Sequence, residues 1–373
     1  MSEPSIHDII YKNFSPVGKS EWLQAARAEI PENISFENLL WDVDGLTFSP
    51  YYVEADLKET QYLKSFHASS NRLLFPQWLN MPEVSVIKED EARKKASLFL
   101  QSGADGIVYD MRAADVKSCI NSVNWNQSNI SFKTSDTNVV TDILAYAVEK
   151  NNPIKFRGSI WWNQLPKSEY LFQFVRPFLK KHENYHLLGI EVQPSTPIKE
   201  IASALSLSVN LVDEMTDLKL DLTSVFRSIS LCFTCSENIL VNIAKLKSMR
   251  ILWYQLSQAF EIPDYSPSDL LIRCRTGQGV AEKFQPHGNM IRNTFQAVSA
   301  IVGGANEITV IDGEDAADSI TDRVALNVSN ILKEESHFGK VADPMAGSYV
   351  IEKMVHEFSQ AAWAGFQNSR HEA

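Results

Sequence analysis

From residue 84 onward, short apolar runs alternate with helical stretches, and they do so eight times. Such a pattern specifies repeated β-α units around a parallel sheet, because each parallel strand needs a crossover to bring the chain back beside it. The predicted strands are Val84–Ile87, Gly106–Asp110, Asn129–Phe132, Ile154–Ile160, His186–Val192, Ser228–Phe233, Leu270–Cys274 and Glu307–Ile311. The predicted helices that follow them are Glu89–Gln101, Ala114–Ile120, Thr137–Glu149, Glu169–Lys181, Ile198–Lys219, Glu237–Phe260, Asn289–Val302 and Ala316–Lys333. Eight units over about 250 residues is the usual span of an α/β (β/α)8 TIM barrel. An extra C-terminal amphipathic helix, Tyr349 to Phe366, is expected to pack outside it. A doubly wound open sheet shows the same alternation but commonly carries G-x-G-x-x-G at its first strand-to-helix turn. Here Gly277-Gln278-Gly279 lies far from the first strand and has Glu282 where the third glycine belongs, so the barrel is the preferred fold.

Residues 1–82 read as an N-terminal helix-hairpin arm, ahead of a barrel domain at 83–373. Ser20 can cap a helix over Glu21–Ile30, and Leu39–Val43, Asp44-Gly45 and Leu46–Phe48 have the form of a hairpin with a tight turn. The arm is rich in aromatics, with Trp41, Phe48, Tyr51, Tyr52, Phe75 and Trp78, but poor in periodic structure. It therefore needs another surface, either its own barrel or a partner chain.

Composition removes several classes of function. Lys and Arg number 35 against 46 Asp and Glu, a net charge of −11, the wrong sign for gripping nucleic acid. No apolar run is long enough to span a membrane, and the first residues lack the form of a signal peptide, so a cytoplasmic chain is expected. The four cysteines, at 119, 232, 235 and 274, are too few and too irregularly spaced for a disulfide framework.

In a barrel, chemistry belongs to the loops at the C-terminal ends of the strands. Most of these loops are chemically thin: Trp161, Trp162 and Asn163 after the fourth strand, Gln193, Pro194 and Ser195 after the fifth, and Asp312, Glu314 and Asp315 after the eighth. The last carboxylates suit the start of a helix better than acid-base work. Cys232-Phe233-Thr234-Cys235 has the spacing of a thiol redox site, but strand alternation turns Cys232 inward like Ser228 and Ser230 as a small core residue. His182 and His186, with Glu183 between them, have a metal-pair spacing yet straddle a helix end and a strand start, so no metal site is expected. Arg273 and Arg275 alternate onto one face of the seventh strand beside Thr276 and Gln278. They can grip a phosphate or carboxylate, or pair with carboxylates of the barrel itself.

Several stretches resemble the methylmalonyl-CoA mutase family. Asn242–Lys247 with Arg250, Leu252 and Trp253 is similar to that family's sixth helix, and Arg275-Thr276, Pro286–Thr294 and Ala297–Gly304 also match. Glu334-Glu335-Ser336 and Lys340–Tyr349 resemble its most recognisable segment, while Phe36–Tyr52 corresponds to its arm. The resemblance implies a barrel and isomerisation of acyl-CoA thioesters by radical chemistry. It also implies adenosylcobalamin carried on a separate C-terminal domain, with the histidine of an Asp-x-His-x-x-Gly motif meeting the cobalt. No such domain is expected within this chain; the one partial match, Asn184–Gly189, lacks the aspartate.

Other positions depart from the family as well. Asn71–Pro76 stands where active members carry a tyrosine-rich segment, and Val192–Ser195 where they carry Gly-Tyr-His. The family's substrate arginine falls on Ser228, with Ser230 kept and Arg227 displaced by one, and its histidine and glutamine fall on Arg273 and Arg275. Losing proton-handling groups and cofactor ligand together implies a small, non-catalytic subunit of a heterodimeric mutase interconverting methylmalonyl-CoA and succinyl-CoA. The large subunit would hold adenosylcobalamin. The alternative is the acyl-CoA-binding barrel of a split mutase, with Ser230, Arg273, Arg275 and Gln278 on the substrate and cobalamin on another protein.

Overall fold

The computed structural model describes residues 17–371, apart from 32, 61, 64–65, 67–77, 112–115, 122, 150–155, 180–184, 278–287 and 312–318. The arm contributes helix α1 (Lys19–Glu29), a 3-10 turn at Phe36–Leu39, the hairpin β1 (Trp41–Val43) and β2 (Leu46–Phe48), and a second 3-10 stretch at Glu54–Thr60. Then come β3 (Leu79–Asn80), β4 (Glu83–Val86), α2 (Glu89–Gln101), β5 (Gly106–Met111), α3 (Val116–Asn121), β6 (Asn129–Thr134), α4 (Thr137–Glu149), β7 (Gly158–Trp162) and α5 (Ser168–Leu179). The second half holds β8 (Tyr185–Glu191), α6 (Pro197–Asp217), α7 (Leu222–Ser228), β9 (Ile229–Thr234), α8 (Ile239–Ala259), β10 (Leu271–Arg275) and α9 (Gly288–Val302). The last elements are β11 (Glu307–Thr309), α10 (Ser319–Glu334) and α11 (Tyr349–His371).

Nine strands form one sheet in the order β3-β11-β10-β9-β8-β7-β6-β5-β4, and every pair in it is parallel. Its two edges, β3 and β4, are separated by Met81 and Pro82 alone. The nine are thus eight staves, the first of them bent at Pro82, and the sheet closes on itself. Met81 N donates to Ile308 O at 2.9 Å and Val108 N to Pro82 O at 3.0 Å, so the bend is stitched to both neighbours. Proline suits this position because it has no N–H to donate to a ladder.

The closing stave begins earlier than the sequence pattern places it. Leu79 and Asn80, assigned by that pattern to the arm, pair with Glu307 and Ile308. Asn80 Nδ2 donates to Leu326 O and Asn330 Oδ1 of α10, and Trp78 Nε1 to Ser329 Oγ, which fixes the stave to the last barrel helix. A further difference is α7, a short helix capped by Asp221, whose carboxylate accepts from Ser224 N at 2.8 Å; Ser228 closes this helix instead of opening β9.

Two apolar cores follow from strand alternation. The larger lies between staves and helices and takes the outward residues, among them Ile107, Tyr109, Phe132, Ile160, Trp162, Ile190, Phe233 and Ile272. The smaller lies inside the barrel: Met81, Val108, Trp161 and Cys232, flanked by Leu79 and Leu271.

The arm rests on its own chain through Phe48, which is buried against Phe358 of α11 with ring centroids 6.1 Å apart, and Trp41 packs on Phe48 at 5.9 Å. Trp22 of α1 stacks on Tyr51 at 4.5 Å, yet no residue of α1 is buried. Phe75 lies outside the described residues. Among the described residues no helix is long and apolar enough to cross a membrane.

Candidate functional site

Inward positions near the C-terminal ends of the staves carry a cluster of charge. Glu83 of β4 bridges two arginines: its Oε2 accepts from Arg273 Nη2 at 2.8 Å and its Oε1 from Arg275 Nη2 at 3.2 Å. Glu191, the last residue of β8, pairs with Arg275 Nη1 at 3.1 Å and with Lys133 Nζ of β6 at 3.1 Å. Lys133 also stands 4.0 Å from Glu83. Burial by itself would raise the Glu83 carboxyl, but Arg273, Arg275 and Lys133 hold it below the ordinary carboxylate range.

The barrel axis beneath this cluster is filled. Arg273 and Trp161 are fully buried, and the guanidinium lies over the indole with 5.6 Å to the ring centroid. Gly189 of β8 makes room for that ring: a Cβ there would stand 2.3 Å from Ile160 O and 2.8 Å from Trp161 Cε3. Ser230 is inward and buried, and its hydroxyl has no hydrogen-bond partner. Cys232 shares this inner layer, where burial pushes its thiol up to about 11.

Two openings flank the filled centre. At the C-terminal end, a hollow of about 640 Å³ is lined by Asp110, Met111, Lys133, Thr134, Ser135, Asp136 and Asn163. At the N-terminal end, one of about 320 Å³ is lined by Leu79, Asn129, Arg157, Gly158, His186, Leu271 and Glu307. Burial pushes the Glu307 carboxyl up to about 7 against the pull of Arg273, and pushes the His186 imidazole down to about 4 against the pull of the Ile229 and Arg227 backbone.

The residues singled out from sequence thus separate. Arg273 and Arg275 do share the inner face, and each meets a carboxylate of the same barrel. Gln278, His182, Glu183, Asp312, Glu314 and Asn71–Pro76 lie outside the described residues. Arg227 is directed away from the mouth, to Asp269 at 3.1 Å and Pro263 O at 2.7 Å, and Ser228 Oγ donates to Val225 O. His186 begins β8, at the end of the barrel opposite the charge cluster. Cys235 is on the outer side of the sheet with Cys274, apart from Cys232. The Cys274 thiol, by hydrogen bonding, and Lys245, by charge, hold Cys235 below the usual thiol range. Among the described residues no group of three or more His, Cys, Asp or Glu side chains is placed to hold a metal.

Sequence reasoning missed Glu83, Lys133 and Glu191, which supply the counter-charges and the third cation. The available signal was their parity and place: Lys133 follows Asn129 and Ser131 on one face of β6, Glu83 opens β4 and Glu191 closes β8.

The family model of methylmalonyl-CoA mutase matches residues 169–372. The methylmalonyl-CoA mutase small subunit of Porphyromonas gingivalis is 24% identical over 96% of this chain and 63% of its own length. That of Streptomyces virginiae is 28% identical over 49% of this chain and 29% of its own length. Among solved structures, the dihydropteroate synthase of Yersinia pestis aligns with 78% of this chain and 98% of its own at 13% identity and a TM-score of 0.39, too slight a likeness to argue from. This chain accordingly spans 63% of the length of its Porphyromonas relative. With more than half of its residues inside the family match, the chain belongs to the methylmalonyl-CoA mutase family.

Proposed function

We propose that this chain is the small, non-catalytic subunit of a heterodimeric methylmalonyl-CoA mutase, whose large subunit carries adenosylcobalamin and performs the isomerisation in the cytoplasm. The observation that carries the reading is the filled barrel axis. Trp161 and Arg273 occupy the centre, and Glu83 and Glu191 are shared among three cations, so the axis beneath the mouth is closed to a substrate. The loop after β8 supplies Gln193, Pro194 and Ser195 and no imidazole to hold or move a proton.

The described residues do not fit cobalamin. In the only stretch resembling the cobalt-ligand motif, His186 is the one candidate ligand; its Nδ1 is buried at the foot of the barrel, away from the C-terminal face. Support for a partner comes from α1, none of whose residues is fully buried even though Trp22 stacks on Tyr51, and from the small-subunit relatives. The four cysteines are buried and form no disulfide with one another, in keeping with a reducing compartment.

Native mass spectrometry of the chain purified from its own cells tests this reading. A one-to-one complex with a heavier cobalamin-containing subunit is expected, with no cobalamin absorbance on the separated small chain. Stoichiometric cobalamin on the isolated chain, or a homo-oligomer alone, overturns it.

A second reading rests on the hollow beside Lys133: acyl-CoA binding at the mouth, with Ser230, Arg273, Arg275 and Gln278 as contacts. Under that reading Arg275→Ala weakens acyl-CoA binding at least tenfold, and an unchanged affinity removes it.

A further inference from the structure

Arg273 of β10 and Glu307 of β11 stand at the same register of adjacent strands, both inside the barrel and both buried, at 0% and 1% exposure. No ion pair joins them. Arg273 donates from Nε and Nη2 to Thr309 Oγ1, at 3.2 and 3.0 Å, and from Nη2 to Glu83 at 2.8 Å. Its Nη1 donates to nothing, and Oε2 of Glu307 accepts nothing. A buried guanidinium with an idle donor beside a buried carboxylate with an idle acceptor has a second pairing available and unused. Glu307 also lines the hollow of about 320 Å³ at the foot of the barrel, where there is room for a side chain to turn.

We propose that Arg273 is a two-position latch, closed on Glu83 toward the barrel mouth or swung onto Glu307 toward its foot, with the proton on Glu307 selecting the position. While that proton is present, Glu307 offers the guanidinium no charge and Arg273 stays on Glu83. When it leaves, Glu307 becomes the buried carboxylate at the nearest register. Glu83 is not abandoned in that state, because Arg275 still donates to it and Lys133 remains near.

Among the described residues, the charged and titratable groups facing Glu307 are Arg273 from β10, Tyr185 and His186 from β8, and Arg157 just ahead of β7, with Glu83 beyond Arg273. His186 is held neutral by burial and Arg157 is exposed at the rim, so Arg273 is the one buried cation within this group. Burial sets Glu307 at about 7, which puts the change in the neutral range. The latch belongs to this chain alone and stands whether or not the chain is a mutase subunit.

Crystal structures of the whole chain at about pH 5.5 and about pH 8.5, for wild type and Glu307→Gln, test it directly. The expected result is Arg273 on Glu83 at the lower pH, on Glu307 at the higher pH, and on Glu83 at both in Glu307→Gln. In solution, the emission of Trp161, taken as wild type minus Trp161→Phe, should change in a single one-proton step near neutral pH that Glu307→Gln abolishes. If Glu307→Gln fails to fold, the two wild-type structures decide: Arg273 on Glu83 at both pH values overturns the latch. A Trp161 step that persists in a folded Glu307→Gln overturns it too.

Discussion

Lys245 Nζ of α8 stands 2.6 Å from Glu200 Oε2 of α6, with both side chains almost wholly buried. The pair is fully engaged: Lys245 also donates to Thr234 O at 3.0 Å, and Glu200 Oε1 accepts from Ser195 N at 2.9 Å. It therefore ties two neighbouring helices to the ends of β8 and β9. Removing one member leaves a charge buried without its partner, so Lys245→Met should cost about 3–5 kcal/mol. Lys245→Met with Glu200→Gln removes both charges, keeps an acceptor for Ser195, and should recover most of that loss. Urea unfolding of the two single variants and the double closes the cycle. A double variant as unstable as Lys245→Met would show that the cost comes from packing and not from the stranded carboxylate.

At the foot of the barrel, Glu307 and His186 oppose one another in pH dependence. Glu307 is raised to about 7, so the folded chain keeps a proton that the unfolded chain has lost, and stability falls as pH rises from the ordinary carboxylate range through about 7. His186 is depressed to about 4, so the unfolded chain takes the extra proton and stability falls as pH drops from about 6.5 through that value. Each effect is on the order of 3 kcal/mol, and between about pH 4.5 and 6.5 their slopes cancel. Glu307→Gln should raise stability at pH 8 and expose a rising slope below pH 6.5, while His186→Asn should expose a falling one. Urea midpoints followed across this range measure both. If the three curves run parallel, neither group is shifted as described.

Much of this fold was legible because the barrel repeats one pattern. The helices Glu89–Gln101 and Thr137–Glu149 coincide with their predicted bounds, and most staves are displaced by only one or two residues. The short stave at Leu79–Asn80 was hidden because two residues beside Pro82 carry no period; its place is set by Ile308, far along the chain. The charge cluster was half legible for the same reason. Alternation along β10 puts Arg273 and Arg275 on one face, but their counter-charge, Glu83, lies 190 residues from Arg273 and meets it only when the ring of staves closes. Arm aromatics were legible as apolar material without an address: Phe48 found α11 of its own chain, and Trp78 found α10.

Thiol chemistry is a separate matter that can be settled on the native chain. All four cysteines are buried. Cys232 faces the barrel interior, with its thiol pushed up to about 11, while Cys235 faces the outer core beside Cys274. Cys235 is the most acidic of the three near the sixth and seventh staves, yet it is closed off from solvent. A thiol reagent at about pH 8 should modify all four only as fast as the chain unfolds. One equivalent reacting within seconds would revive a redox role for the Cys232–Cys235 segment.

Glu83 joins more cations than any other carboxylate described here, and its loss should be felt accordingly. Its side chain is 16% exposed and bridges Arg273 and Arg275, with Lys133 at 4.0 Å. Glu83→Gln removes the only carboxylate among the described residues that pairs with the fully buried Arg273, and should destabilise the chain by about 3–5 kcal/mol at neutral pH. Arg275→Ala should cost less, because Arg275 is 20% exposed and Lys133 remains to serve Glu191. The pH dependence identifies the cause. Glu83 is held below the ordinary carboxylate range, so its contribution is complete above that range and disappears as pH falls through the lowered value. The deficit of Glu83→Gln should therefore shrink in acid. It should also ease above about pH 7, where an ionised Glu307 gives Arg273 a second carboxylate. A deficit greatest near pH 6 and smaller on both sides is what this geometry requires; one independent of pH would assign Glu83 a packing role only.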